Sequence, residues 1–113
     1  MSFRDADRQL RDIQTGIDHI DAFLADMDFA AYQSDLKTRS AVERQLQIIT
    51  EAAIRLGDEA DSVCPGPDWK GLRGMGNFLR RAYHRVDDKI VWETLQQDLP
   101  PLKAAVACAL TRP

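Results

Sequence analysis

What the 113-residue chain lacks narrows it first. It has two cysteines, Cys64 and Cys108, in neither metal-binding nor redox spacing, which excludes a disulfide framework, a zinc module and a thiol-exchange motif. It has no surplus of positive charge. Fifteen Lys and Arg stand against eighteen Asp and Glu, a net charge of −3, which argues against a general nucleic-acid coat but leaves local patches open. The longest unbroken apolar run, Ala104 to Leu110, is far too short to cross a membrane. The polar start MSFRDADRQL carries no signal peptide. Two reduced thiols and a cytoplasmic location follow as expectations. There is no β-hairpin signal, no repeat, no phosphate loop, no carboxylate pair, no nucleophile–base motif and no metal cluster, so neither a metal nor a cofactor is expected.

What is present is helical periodicity. Leu10, Ile13, Ile17, Ile20, Leu24 and Met27 recur at steps of three and four, one apolar stripe along a helix of roughly six turns. Ser2 is the expected N-cap, with Asp5 three residues on. Val42, Leu46, Ile49, Ala53 and Leu56 repeat the pattern in a second helix that starts at Ser34 or Ser40 and ends on Gly57 as C-cap. Gly57 to Pro67, with two glycines and two prolines, reads as a loop. Asp68 can cap a third helix running to Val86. Asp87 or Asp88 can cap a fourth, with Ile90, Val91 and Leu95 inward and Pro100 and Pro101 breaking it. A short helix from Leu102 to Leu110 closes the chain. The expected fold is all-α, an antiparallel bundle of four to five helices in a single domain over residues 1–113.

The third of these helices holds the charge. Between Trp69 and Val86 lie five Lys or Arg and no acid, whereas the rest of the chain has ten bases against all eighteen acids. At about 100° per residue, Lys70, Arg73, Asn77, Arg81 and His84 share one face, with Arg80 on its shoulder, and Leu72, Met75, Leu79, Ala82 and Val86 share the other. Guanidinium forks and an amide on one face suit phosphate. Gly74 and Gly76 each lower helix propensity by about 1 kcal/mol relative to Ala, a cost that points to close approach of another backbone or a ligand.

Three segments carry a family resemblance: AVERQLQIITEAAIRL in the second helix, DWKGLRGMGN with the tyrosine beyond it in the third, and VDDKIVWETLQQDLPPL near the end. With the long first helix they cover nearly the whole chain, which resembles the HepT-like branch of the HEPN superfamily. The resemblance implies an α-helical bundle that dimerises and a metal-independent RNA-cleaving site where two subunits meet. It also implies a role as the toxin of a toxin–antitoxin pair. The antitoxin is a minimal nucleotidyltransferase (MNT type) that adds AMP to a tyrosine beside the site. The family motif is arginine, usually followed by asparagine, then three residues, histidine, any residue and tyrosine. Laid on this chain it gives Asn77 and Tyr83 as matches, with Gly76 in the arginine slot and Arg81 in the histidine slot.

Both residues that define the nuclease are therefore replaced. Arg81 cannot act as a base, since its pKa lies above about 12. Two explanations stand. In one the chain is a degenerate member, binding RNA or its partner without cleaving. In the other the pair has moved one turn along the helix, to Arg80 and His84, with Asn77 completing the catalytic set and Lys70, Arg73 and Arg81 holding RNA phosphates. Tyr83 is the expected AMP acceptor. Glu51, on the second helix where the family tends to carry an acid, is a possible arginine partner. His19 is expected to face solvent, and Trp69 and Trp92 to anchor core or interface.

Overall fold

The computed structural model describes residues 3–81 and 87–111. The described chain forms seven α-helices and one 3₁₀ turn, with no strand among the described residues. They are α1 (Phe3–Leu24), α2 (Phe29–Ser34), α3 (Leu36–Leu56), α4 (Ala60–Val63), α5 (Trp69–Arg81), α6 (Asp88–Gln97) and α7 (Leu99–Leu110). The all-α expectation holds. The count exceeds four to five because two short helices, α2 and α4, fill segments without a readable period.

The α1 stripe is buried from Leu10 through Ile13, Ile17 and Ile20 to Leu24, and α1 packs on α3, whose Leu46 and Ile49 are also fully buried. Met27 does not continue it. Ala25 takes a left-handed φ of +45° and ends the helix, after which the Asp28 carboxylate accepts from the Ala31 N–H at 2.8 Å and caps α2. α3 starts on neither serine expected for it. Asp35 caps it, accepting from the Thr38 N–H at 3.1 Å and from the Thr38 hydroxyl at 2.9 Å, and those bonds lower the Asp35 pKa. Gly57 closes α3 with φ +57°.

Asp68 and Asp87 cap α5 and α6 as expected: Asp68 accepts from Gly71 N–H at 2.9 Å and Asp87 from Lys89 N–H at 2.9 Å. In α6, Val91 and Leu95 are buried but Ile90 is 43% exposed, its inward place taken by Thr94. Pro100 and Pro101 do not break the chain before α7. They sit in its first turn, where a missing N–H costs nothing. The Lys103 ammonium on α7 ties to α1 through Asp21 at 2.8 Å and Asp18 at 3.9 Å.

α3 is the central element, with α1 on one flank and α5 on the other. α5 runs antiparallel to it and lies along its C-terminal half. Residues 12–36, from the middle of α1 to the first residue of α3, contain six Asp and no Lys or Arg.

Candidate RNA-binding and catalytic site

The site grows from the way α5 is seated. Trp69 is buried at its first turn and donates its indole N–H to the Cys64 carbonyl at 2.9 Å. Leu72, Gly76 and Leu79 form the buried face. At Gly76 the helix comes so near α3 that a Cβ would lie 2.9 Å from both Cβ and Oγ1 of Thr50 and 3.3 Å from Ile54 Cδ1. Thr50 cannot turn away freely, since its hydroxyl donates to Leu46 O at 2.9 Å. The close approach expected of the two glycines is thus intramolecular at Gly76. At Gly74, two residues earlier and on the opposite side of the helix, an added Cβ would meet nothing within 4 Å.

Arg80 is the best-positioned cation. One guanidinium nitrogen, Nη1, lies 3.4 Å from Glu51 Oε1, and the other, Nη2, donates to Asn77 Oδ1 at 2.7 Å. Arg80 and Glu51 are both about half exposed, so the pair adds little stability, about 0–1 kcal/mol. Its effect is orientation: two nitrogens are held by protein acceptors while the side chain stays about half exposed. The expected pairing of Glu51 with an arginine is therefore present, and it brings Asn77 and Arg80 of the candidate set together.

Lys70 and Arg81 are exposed on the outer face. Arg73 is half-buried and donates to the Gly57 carbonyl at 3.3 Å, where its charge meets the C-terminal dipole of α3; it joins the basic face and also serves the helix end. Tyr83 and His84, like the expected inward residues Ala82 and Val86, lie outside the described residues, as does the expected cap Ser2. His19 is exposed, its Nδ1 3.2 Å from Gln45 Oε1 and its ring stacked on Phe23. Trp69 is a core residue, whereas Trp92 is half-buried against Phe29 and Tyr32.

One polar cluster escaped the sequence reading. Arg39 Nη1 pairs with Asp88 Oδ2 at 3.3 Å, joining α3 to the first turn of α6. Burial, then the nearby Asp88 carboxylate, raises the Glu43 pKa, with Arg39 opposing. Burial, then Glu43 and Asp88, pushes the Tyr32 phenol well above its usual range, and its hydroxyl has no hydrogen-bond partner among the described residues. A signal was there: Arg39, Glu43, Gln47 and Glu51 stand four apart, a polar row along one flank of α3. Among the described residues no His, Cys, Asp or Glu group could hold a metal, and no helix is long and apolar enough to cross a membrane.

The all-α bundle is the architecture that the HepT-like resemblance implied. The family model described as "Ribonuclease HepT-like" matches residues 13–109, and the chain belongs to that family. It is 34% identical over 94 residues to a "Probable ribonuclease HepT" of Thermococcus cleftensis, covering 83% of this chain and 86% of that one. It is 30% identical over 106 residues to a Methanocaldococcus jannaschii protein provisionally named an RNase, covering 94% and 97%. A similarly named protein of Caldanaerobacter subterraneus is 31% identical over 80 residues, 71% of each chain. No solved structure gives a significant match.

Proposed function

We propose that the protein is the toxin half of a toxin–antitoxin pair, a metal-independent endoribonuclease whose site runs along α5. The observation that carries this reading is the bracing of a half-exposed Arg80 by Glu51 and Asn77, on a helix whose described residues hold four bases and no acid. A guanidinium held that way stabilises negative charge building on a phosphate. Proton transfer from the ribose 2′-OH, or to the leaving oxygen, falls to His84, the one histidine between 69 and 86 and the i,i+4 neighbour of Arg80. Lys70, Arg73 and Arg81 hold flanking phosphates. The working form is a cytoplasmic homodimer whose second copy completes the site. An MNT-type antitoxin silences it by adding AMP to Tyr83, three residues after Arg80 in the sequence, which brings bulk and a negative phosphodiester.

A second reading, a non-catalytic RNA- or partner-binding module, draws on Gly76. The family's arginine slot here opens onto Thr50 rather than solvent, and Arg81 in the histidine slot cannot exchange a proton near neutral pH. RNA digestion by the purified protein, with and without chelator, separates the two. Cleavage should persist in chelator, peak near neutral pH as imidazole chemistry does, and fall about 10²- to 10⁴-fold in His84→Ala with RNA affinity nearly unchanged. A wild-type protein that cleaves no RNA leaves the non-catalytic module standing. His84→Ala cleaving as well as wild type removes the shifted pair.

A further inference from the structure

The outer face of α5 has a feature that charge alone does not explain. Phe78 is 38% exposed in the middle of it. A lone exposed apolar residue is ordinary, but the neighbours of this one are not. Asn77 precedes it, Arg81 lies one turn ahead and Gly74 one turn behind, and Lys70 continues the ridge. All four are solvent-exposed. Side chains on a helix lean back over the preceding turn, which for Phe78 is the turn of Gly74, where the backbone carries no side chain. No described residue asks for that glycine, because a Cβ at 74 would meet none of them within 4 Å, in contrast to Gly76. The chain therefore bears a propensity cost of about 1 kcal/mol at a position where it leaves backbone accessible beside an exposed aromatic residue and between cations.

We infer that this ridge takes RNA in single-stranded form, with a base stacked on Phe78, the sugar–phosphate chain passing close over Gly74, and Lys70 and Arg81 on the flanking phosphates. The inference rests on the proposed RNA-binding role of α5 and adds the strandedness of the substrate and the residue that reads it. Cations alone bind single and double strands alike through phosphates, whereas an exposed ring engages only bases freed from a duplex, and does so without regard to sequence. A second copy of this chain is the competing occupant. The long run of bases with no acid argues for a polyanion instead.

The test is binding of a fluorescently labelled single-stranded RNA 12-mer and of its duplex, by anisotropy at two salt concentrations, with the mass of the free protein followed by light scattering. Wild type should prefer the single strand at least about tenfold. Phe78→Ala should lose about 5- to 100-fold on the single strand and little on the duplex, and Phe78→Trp should restore binding. Gly74→Ala should melt higher than wild type yet bind the single strand more weakly, two effects of opposite sign that a purely structural role cannot produce. Equal affinity for both RNA forms, or Phe78→Ala or Gly74→Ala binding the single strand as wild type does, overturns the inference and leaves RNA binding by α5 intact. Binding of neither form overturns both. A Phe78→Ala protein that changes mass while its RNA binding is unchanged would identify the ridge as a contact between copies and overturn the inference.

Discussion

Gly74 and Gly76 stand two residues apart on α5 and face opposite ways. Gly76 is buried and lets two helix backbones come close enough that even a methyl group would strike Thr50, whereas Gly74 borders empty space. The inner glycine is explained by packing; the outer one by no contact among the described residues. The same residue type on one helix thus separates what the bundle needs from what its surface is free to offer, and only the second kind of position is informative about a ligand.

Several substitutions would break or sharpen this contrast. The largest effect belongs to Gly76→Ala. The overpacked methyl should cost about 1–3 kcal/mol, less whatever helix propensity returns, seen as a lower urea midpoint at unchanged slope. If Gly76→Ala is as stable as wild type, α5 is not seated on Thr50 as described. Gly74→Ala should go the other way, gaining about 0.4–1 kcal/mol in the same titration.

The half-buried polar flank of α3 offers a smaller, pH-dependent version of the comparison. Glu43 has a raised folded pKa, so its ionisation opposes folding. The native state holds the proton more tightly than the unfolded one, and stability is lost as pH rises from the ordinary glutamate value, about 4.3, through the raised folded value. Glu43→Gln should therefore melt higher than wild type at neutral pH, with the gain vanishing below about pH 4. A pH-independent difference would assign the effect to packing instead. Smallest is Glu51→Gln, which should shift stability by less than about 1 kcal/mol. It should nevertheless lower RNA cleavage at saturating RNA, because Arg80 loses its charged brace. A loss of stability larger than that would make Glu51 a structural residue rather than a positioning one.

How much of this was legible in the sequence depended on length and locality. The stripes of α1 and α3 run long enough for period to stand out, and the Asp68, Asp87 and Gly57 caps are local chemistry that a few residues reveal. Helix α2 has only six residues, one turn and a half, so Phe29 and Tyr32 could not declare a period. The end of α1 turns on one backbone angle at Ala25 that no local residue advertises. Pro100 and Pro101 were read as an ending when they are a beginning, since proline suits both sides of a boundary. In the site, the basic face was readable, because charge and spacing are carried by the letters themselves, whereas Glu51 as an arginine partner came from the family resemblance and which arginine it meets did not. The separate meanings of Gly74 and Gly76 were not. The atom that makes Gly76 necessary belongs to Thr50, 26 positions earlier, and its distance exists only after the helices have packed. The Arg39–Asp88 tie bridges 49 positions and was hidden for the same reason.

The concentration of bases on α5 has a kinetic side. Lys70 and Arg81 are exposed on that helix, which lies by the C-terminal half of α3, whereas Asp26, Asp28 and Asp35 stand near the start of α3, a helix roughly 30 Å long. Charges farther off than the Debye length of about 8 Å at physiological salt are largely screened, so an approaching polyanion meets the α5 bases rather than the net charge of the chain. A chain with a net negative charge can in this way meet an anionic partner at a rate that its overall charge would forbid, and that rate should fall as added salt shortens the reach of the field.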